Sequence, residues 1–84
     1  MNTSMQYFLV VAEELSISRA AERLYVSQQC VSSHIKKLEQ QYRVELFTRK
    51  PVFSLTEEGK ALERSLLRQK VLESSLAEEM NAIR

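Results

Sequence analysis

Residues 20–38, AAERLYVSQQCVSSHIKKL, carry two apolar sets at helical spacing on either side of a short interruption. Ala20, Ala21 and Leu24 form the first set. Val31, Ile35 and Leu38, four and then three residues apart, share one face of a second helix. Only Tyr25, Val26 and Ser27 separate the two, so a chain that buries both sets must cross two helices steeply over a tight connection. Small Ala20 and Ala21 allow the close approach. Ser27 is suited to accept from a backbone N–H one turn into the second helix, and Val26 to pack just outside that cap.

Burying Val31, Ile35 and Leu38 turns Gln28, Gln29, Ser32, Ser33 and Lys36 outward, a polar, short-chained face without an acid. Gln pairs a donor with an acceptor and Ser reaches bases or phosphates, while a helix N-terminus favours anions. The arrangement is that of a helix-turn-helix. The alternative is an αα-hairpin in a small helical domain whose outer face is merely solvated.

Charge along the chain favours the first reading. The net charge of the 84 residues is only +1, but residues 17–50 hold seven basic residues against Glu22, Glu39 and Glu45, a surplus of +4. Basic charge therefore gathers around the second of these helices, as phosphate binding requires.

On the N-terminal side, Met5, Phe8, Leu9, Ala12 and Leu15 recur at helical spacing and predict a helix over about residues 4–14, capped from among Asn2, Thr3 and Ser4. Ser16 and Ser18 offer caps for the helix ending near Leu24. The next helix runs from Gln28 to about Gln41, with Tyr42 extending its core stripe, which completes a trihelical core.

Beyond Tyr42, Val44, Leu46 and Phe47 and then Val52, Phe53 and Leu55 are short β-favouring clusters around Arg49, Lys50 and Pro51. They predict a small hairpin with Pro51 at its turn and two basic residues at its tip, near a sugar-phosphate backbone or a minor groove. An ordinary surface turn is the plainer alternative.

Thr56, Glu57 and Glu58 then read as a capping-box-like helix start, and no Pro or Gly after Gly59 interrupts the run to Arg84. A helix of that length spans about 40 Å. Its apolar residues, Leu62, Leu66, Leu67, Val71, Leu72, Leu76, Met80 and Ile83, are too many to leave in water, yet a strict heptad from Leu62 puts Gln69 and Glu73 in the seam. Some should pack on the core and others, with Leu66, Leu72, Leu76, Met80 and Ile83 as the candidates, should meet a second copy in a homodimer. The expected organisation is a winged helix-turn-helix over residues 1–58 and a linker or dimerisation helix over residues 59–84.

Composition excludes several classes. The apolar stretch from Phe8 to Ala12 is too short to span a membrane or form a signal-peptide core, so a cytoplasmic protein is expected. One Cys and one His exclude an internal disulfide and a zinc set, and no cofactor or metal is expected. Cys30, beside the core stripe, reads as a small hydrophobe, with a redox switch as the remote alternative. No nucleophile with a base, carboxylate pair or phosphate-cradling loop is visible, and Ser33 and His34, adjacent on a helix, diverge, so enzymatic activity is not expected.

These residues together resemble the N-terminal DNA-binding domain and linker helix of LysR-type transcriptional regulators over about residues 4–62. The resemblance is carried by Phe8, Val11 and Ala12; by Ser16, Ala20, Ala21 and Leu24; by Val26, Ser27, Gln28, Val31, Ser32, Ile35, Leu38 and Glu39; by Leu46, Phe47 and Arg49; and by Leu55, Thr56 and Gly59. It implies a third helix that enters the major groove of promoter DNA, in dimers or tetramers of cytoplasmic bacterial transcription factors. Base reading then falls on Gln28, Gln29, Ser32 and Ser33, with His34 at the groove edge. Backbone contact falls on Ser27 and Lys36 and on Arg49 and Lys50 of the wing. Gln29 stands where such chains usually have Pro, and Arg43 where they usually have Gly, which predicts a strained turn. The wing is one residue shorter than usual, with Lys50 substituting for its second Arg. The resemblance also implies a larger C-terminal domain that senses a small molecule; the chain is expected to be a fragment without it, with a natural short form as the alternative, and any effector would act only through that domain. A protein-interaction winged helix that pairs through its long helix is the competing function, and it predicts little salt dependence where DNA binding predicts much.

Overall fold

The computed structural model describes all of residues 1–84. In chain order it contains α1 (Thr3–Glu14), α2 (Ile17–Leu24), α3 (Gln28–Tyr42), β1 (Phe47–Thr48), β2 (Ser54–Leu55) and α4 (Glu57–Ile83). Each helix begins on a side chain that accepts from the N–H three residues on: Asn2 from Met5 at 2.8 Å, Ser16 from Arg19 at 3.1 Å, Ser27 from Cys30 at 3.0 Å and Thr56 from Gly59 at 2.9 Å. Each such cap contributes about 1 kcal/mol.

The three short helices all end on a non-glycine residue in the left-handed region, Leu15 at φ 50°, Tyr25 at φ 56° and Arg43 at φ 57°. After α2 and α3 the next N–H closes the turn back onto the helix, Val26 onto the Ala21 carbonyl and Val44 onto the Glu39 carbonyl, each at 3.1 Å. The strained turn expected at Arg43 is present.

α1 packs against both α2 and α3, and Phe8, Val11, Ala12, Ala20, Ala21, Val31, Ile35 and Leu38 are buried between them. Tyr42 does not extend that stripe inward; it lies 43% exposed at the end of α3. Cys30 is half-buried, as suits a small apolar side chain at the core's edge.

The wing is shorter than the clusters predict. Two antiparallel pairs, Phe47 with Leu55 and Thr48 with Ser54, make up its ladder, and Pro51 lies in the loop between them. Packing holds it: the Phe47 ring lies 5.5 Å from Phe8 and stacks 5.0 Å from Phe53.

α4 is tied in beside the wing. The Thr56 N–H donates to the Leu46 carbonyl at 3.0 Å and the Thr56 hydroxyl to the Glu45 carbonyl at 2.6 Å. One turn on, Gly59 is buried so closely that a Cβ would overlap the Leu46 carbonyl oxygen. Gly59 also takes the position where a capping box carries Glu or Gln, so the start of α4 is a simple Thr cap.

Leu66 is 2% exposed and belongs to the core cluster, with Leu62 half-buried beside it. The boundary expected between residues 58 and 59 thus falls inside one helix whose first turns close the core. Every residue from Leu67 to Arg84 is exposed; Glu73 still meets the N-terminal amine of Met1 at 3.3 Å, and the helix beyond it projects, stretching the molecule to 50 Å along its longest axis. No helix is long and apolar enough to cross a membrane.

Candidate nucleic-acid interface

Helical periodicity puts Gln29, Ser33 and Lys36 opposite the buried Val31, Ile35 and Leu38, with Ser32 at the flank of that face and Gln28 in the first turn nearer the buried stripe. Gln28, Gln29, Ser33 and Lys36 are exposed and Ser32 is half-buried, all with side chains uncommitted to the fold. Ser27 already accepts from the Cys30 N–H, which leaves its hydroxyl proton free to donate outward.

His34 does not join this face. Its Nδ1 shares a 2.8 Å hydrogen bond with the Ser4 hydroxyl, and its ring meets Tyr7 edge-on at 4.6 Å. The side chain is turned onto α1, where it satisfies the buried Ser4, so its expected place at the groove edge is corrected. The spacing held the signal: His34 lies three residues after Val31 and four before Leu38, the interval of the core stripe.

The surface charge also differs from a count along the chain. Arg23 lies 2.9 Å from Glu14 and 3.3 Å from Glu13, so its charge is spent against α1. The hydrogen bond that it donates to Glu14 is the main reason its guanidinium is held above the ordinary arginine value. Arg19, Lys36, Lys37, Arg43, Arg49 and Lys50 make no ion pair. Of the acids in the same stretch, Glu39 is turned inward and accepts from the Leu46 N–H at 2.8 Å. These cations are therefore free of direct ion pairs, with Glu39 and Glu45 lining the same groove as Lys36 and Arg43.

At the wing, Arg49 and Lys50 are both exposed in the loop after β1. The Arg49 guanidinium carbon stands 5.7 Å from the Phe53 ring centroid, at the outer range of a cation–π contact. The Thr48 hydroxyl donates to the Lys50 carbonyl at 3.0 Å and shapes the tip. Glu39, Thr56 and Gly59 position this wing against α3 and α4. Nothing in local spacing reveals that role, because it depends on the path of the chain between Arg43 and Phe47.

Along α4, Leu72, Leu76, Met80 and Ile83 are exposed, as a pairing surface requires. Leu66 is not available for pairing, being closed into the core. At 3.6 residues per turn, Leu72, Leu76, Met80 and Ile83 fall within about 80° of one another, while exposed Leu67 and Val71 lie about 150° away. The helix thus has two separate apolar edges.

The family model for the bacterial regulatory helix-turn-helix protein, lysR family, matches residues 3–60. The chain belongs to the LysR family. Among its relatives, the HTH-type transcriptional regulator XapR of Escherichia coli is 56% identical over 45 residues, covering 54% of this chain and 15% of XapR. The regulator CysL of Bacillus subtilis is 41% identical over 59 residues, covering 69% of this chain and 20% of CysL. This LysR-family chain therefore spans only a small part of the length of these curated relatives. Its fold matches the CbnR DNA-binding domain solved in complex with DNA, at 30% identity and a TM-score of 0.83 over 100% of both chains. The winged helix-turn-helix is the fold that this LysR-family match and the observed elements share.

Proposed function

We propose that this chain is the DNA-reading unit of a bacterial transcriptional regulator: α3 enters the major groove of duplex DNA and the wing contacts the sugar-phosphate backbone. The observation that carries the reading is the acid-free exposed face of α3, capped at Ser27 and accompanied by unpaired cations. Gln28, Gln29, Ser32 and Ser33 read base edges. Ser27, Lys36, Arg49 and Lys50 hold phosphates. The name and DNA complex of the CbnR domain support this assignment of partner.

The chain acts as a homodimer, paired through Leu72, Leu76, Met80 and Ile83 rather than Leu66. A two-fold axis across the paired helices presents two reading helices to two half-sites. The work divides between a reading body that runs through Leu66 and a pairing helix beyond it. In a longer protein, a small-molecule effector and any higher oligomer belong to other parts of that protein.

Titration of binding to random duplex DNA against salt, followed by selection and sequencing of the bound fraction, tests the reading. Lys36, Arg49 and Lys50 alone predict that log affinity falls with log salt at a slope of about −3 per protomer. The selected sites should share a two-fold symmetric motif. Gln28→Ala should weaken the selected site more than random DNA, whereas Arg49→Ala should weaken both alike and flatten the slope. Salt-independent association, or equal losses on both DNAs for Gln28→Ala, would refute the corresponding assignment.

A further inference from the structure

Tyr25 is 95% exposed, and its phenol makes no hydrogen bond within the chain. It is also one of the three residues held in the left-handed region, at φ 56°, ψ 42°. A residue with a Cβ is strained there, and Gly or Asn would relieve the turn. Leu15 at the equivalent position of α1 is 43% exposed, so part of its surface is covered. Tyr25 combines a strained backbone with a large ring left wholly in water, and neither the core nor the cap at Ser27 uses it.

Its place gives it something else to touch. Tyr25 stands two residues before the cap of α3, within about 7 Å along an extended chain, and Gln28 and Gln29 begin the reading face directly after that cap. We propose that Tyr25 is a backbone-contacting residue: its phenolic hydroxyl donates to a DNA phosphate oxygen beside the N-terminus of α3, fixing how deeply that helix sits in the groove. The inference rests on the DNA-reading function proposed above and adds a neutral contact to the charged ones. A phenol supplies a donor without a charge, so its contact releases no counterion and leaves the salt slope unchanged.

The test uses the whole chain, a duplex carrying the selected site and a random duplex pool, with affinity read by fluorescence anisotropy across a salt series. Tyr25→Phe removes the hydroxyl alone, while Tyr25→Asn removes the ring but suits the left-handed turn and so keeps the fold. The expected result is about a three- to tenfold loss for Tyr25→Phe on both DNAs, the range of one neutral hydrogen bond. The loss should be at least as large for Tyr25→Asn, with the salt slope as in the wild type. Wild-type affinity in both variants overturns the inference while leaving the DNA-reading function intact. A loss confined to the selected site overturns it too, because Tyr25 would then read bases. If the wild-type chain binds neither DNA at low salt, the proposed function falls and this inference with it.

Discussion

Gly59→Ala separates two effects of opposite sign. Alanine has the higher helix propensity, by about 1 kcal/mol in a helix interior, so a helix considered in isolation gains from the change. Here the added Cβ overlaps the Leu46 carbonyl oxygen and comes within 2.9 Å of Leu55 Cδ2. The first neighbour is backbone and has no rotamer by which to retreat. That same carbonyl accepts from the Thr56 N–H at 3.0 Å, so α4 can back away only by stretching this bond and lifting Leu62 and Leu66 from the core. Overpacking of this kind costs about 1–3 kcal/mol, and the strained hydrogen bond adds about 1 kcal/mol. Against the propensity gain, the net loss is about 2 kcal/mol, or a fall of about 10 °C in Tm for a domain of this size. Thermal unfolding followed by circular dichroism reads it directly. A variant that melts at or above the wild-type temperature would show that propensity governs and that the close contact between α4 and the Leu46 segment is not a constraint on the fold.

Other substitutions test separate parts of the structure. Leu66→Ala should cost about 2–5 kcal/mol in urea unfolding, as a buried leucine does. Leu76→Asp should leave the fold intact and convert the proposed dimer to monomer by light scattering, and a dimer that survives it would remove Leu76 from the pairing surface. Arg43→Gly should raise stability by about 0.5–1 kcal/mol by relieving the left-handed turn, and a loss would mean that the Arg43 side chain contributes more than the strain costs. His34→Ala should lower stability by about 1–2 kcal/mol, because it strands the Ser4 hydroxyl. The same variant should select the same DNA sites as the wild type; a changed motif would return His34 to base reading.

Much of the fold was legible because its determinants are local. The caps at Ser16, Ser27 and Thr56 and the apolar intervals of Phe8, Val31, Ile35 and Leu38 act over one helical turn, so spacing alone places four helices close to their observed ends. The outward set on α3 follows from the same periodicity. What sequence reading misassigned depends on contacts distant in the chain. The outward expectation for His34 fails because its partner Ser4 lies 30 residues away, although its interval from Val31 points inward. The expectation that Leu66 pairs fails because nothing local tells where a long amphipathic helix leaves the core. Spacing puts Tyr42 on the core stripe, but it borders an open groove beside Ala61 and Leu62 of α4 and stays 43% exposed. A count along the chain adds Arg23 to the basic stretch, although it pairs with Glu13 and Glu14 on α1.

The placement of Leu66 bears directly on how such a unit measures DNA. If residues 59–84 formed a separate linker, α4 could swing relative to α3, and the distance between two reading helices in a dimer would vary. Instead Thr56, Gly59, Leu62 and Leu66 fasten the first turns of α4 to the wing and the trihelical body, and the pairing stripe at Leu72 to Ile83 continues the same helix without Gly or Pro. A continuous helix resists bending except where such residues interrupt it. Under the pairing proposed above, its geometry passes to α3 through packed contacts, and half-site spacing becomes a property of α4. Insertion of two alanines after Lys70 makes this measurable. It would turn the pairing stripe by about 200° and advance it by about 3 Å while leaving the reading face untouched. The altered chain should keep its affinity for a single half-site and lose the wild-type preference for half-site spacing in selected sequences. Unchanged spacing would mean that the segment beyond Leu66 does not set the distance between the reading helices.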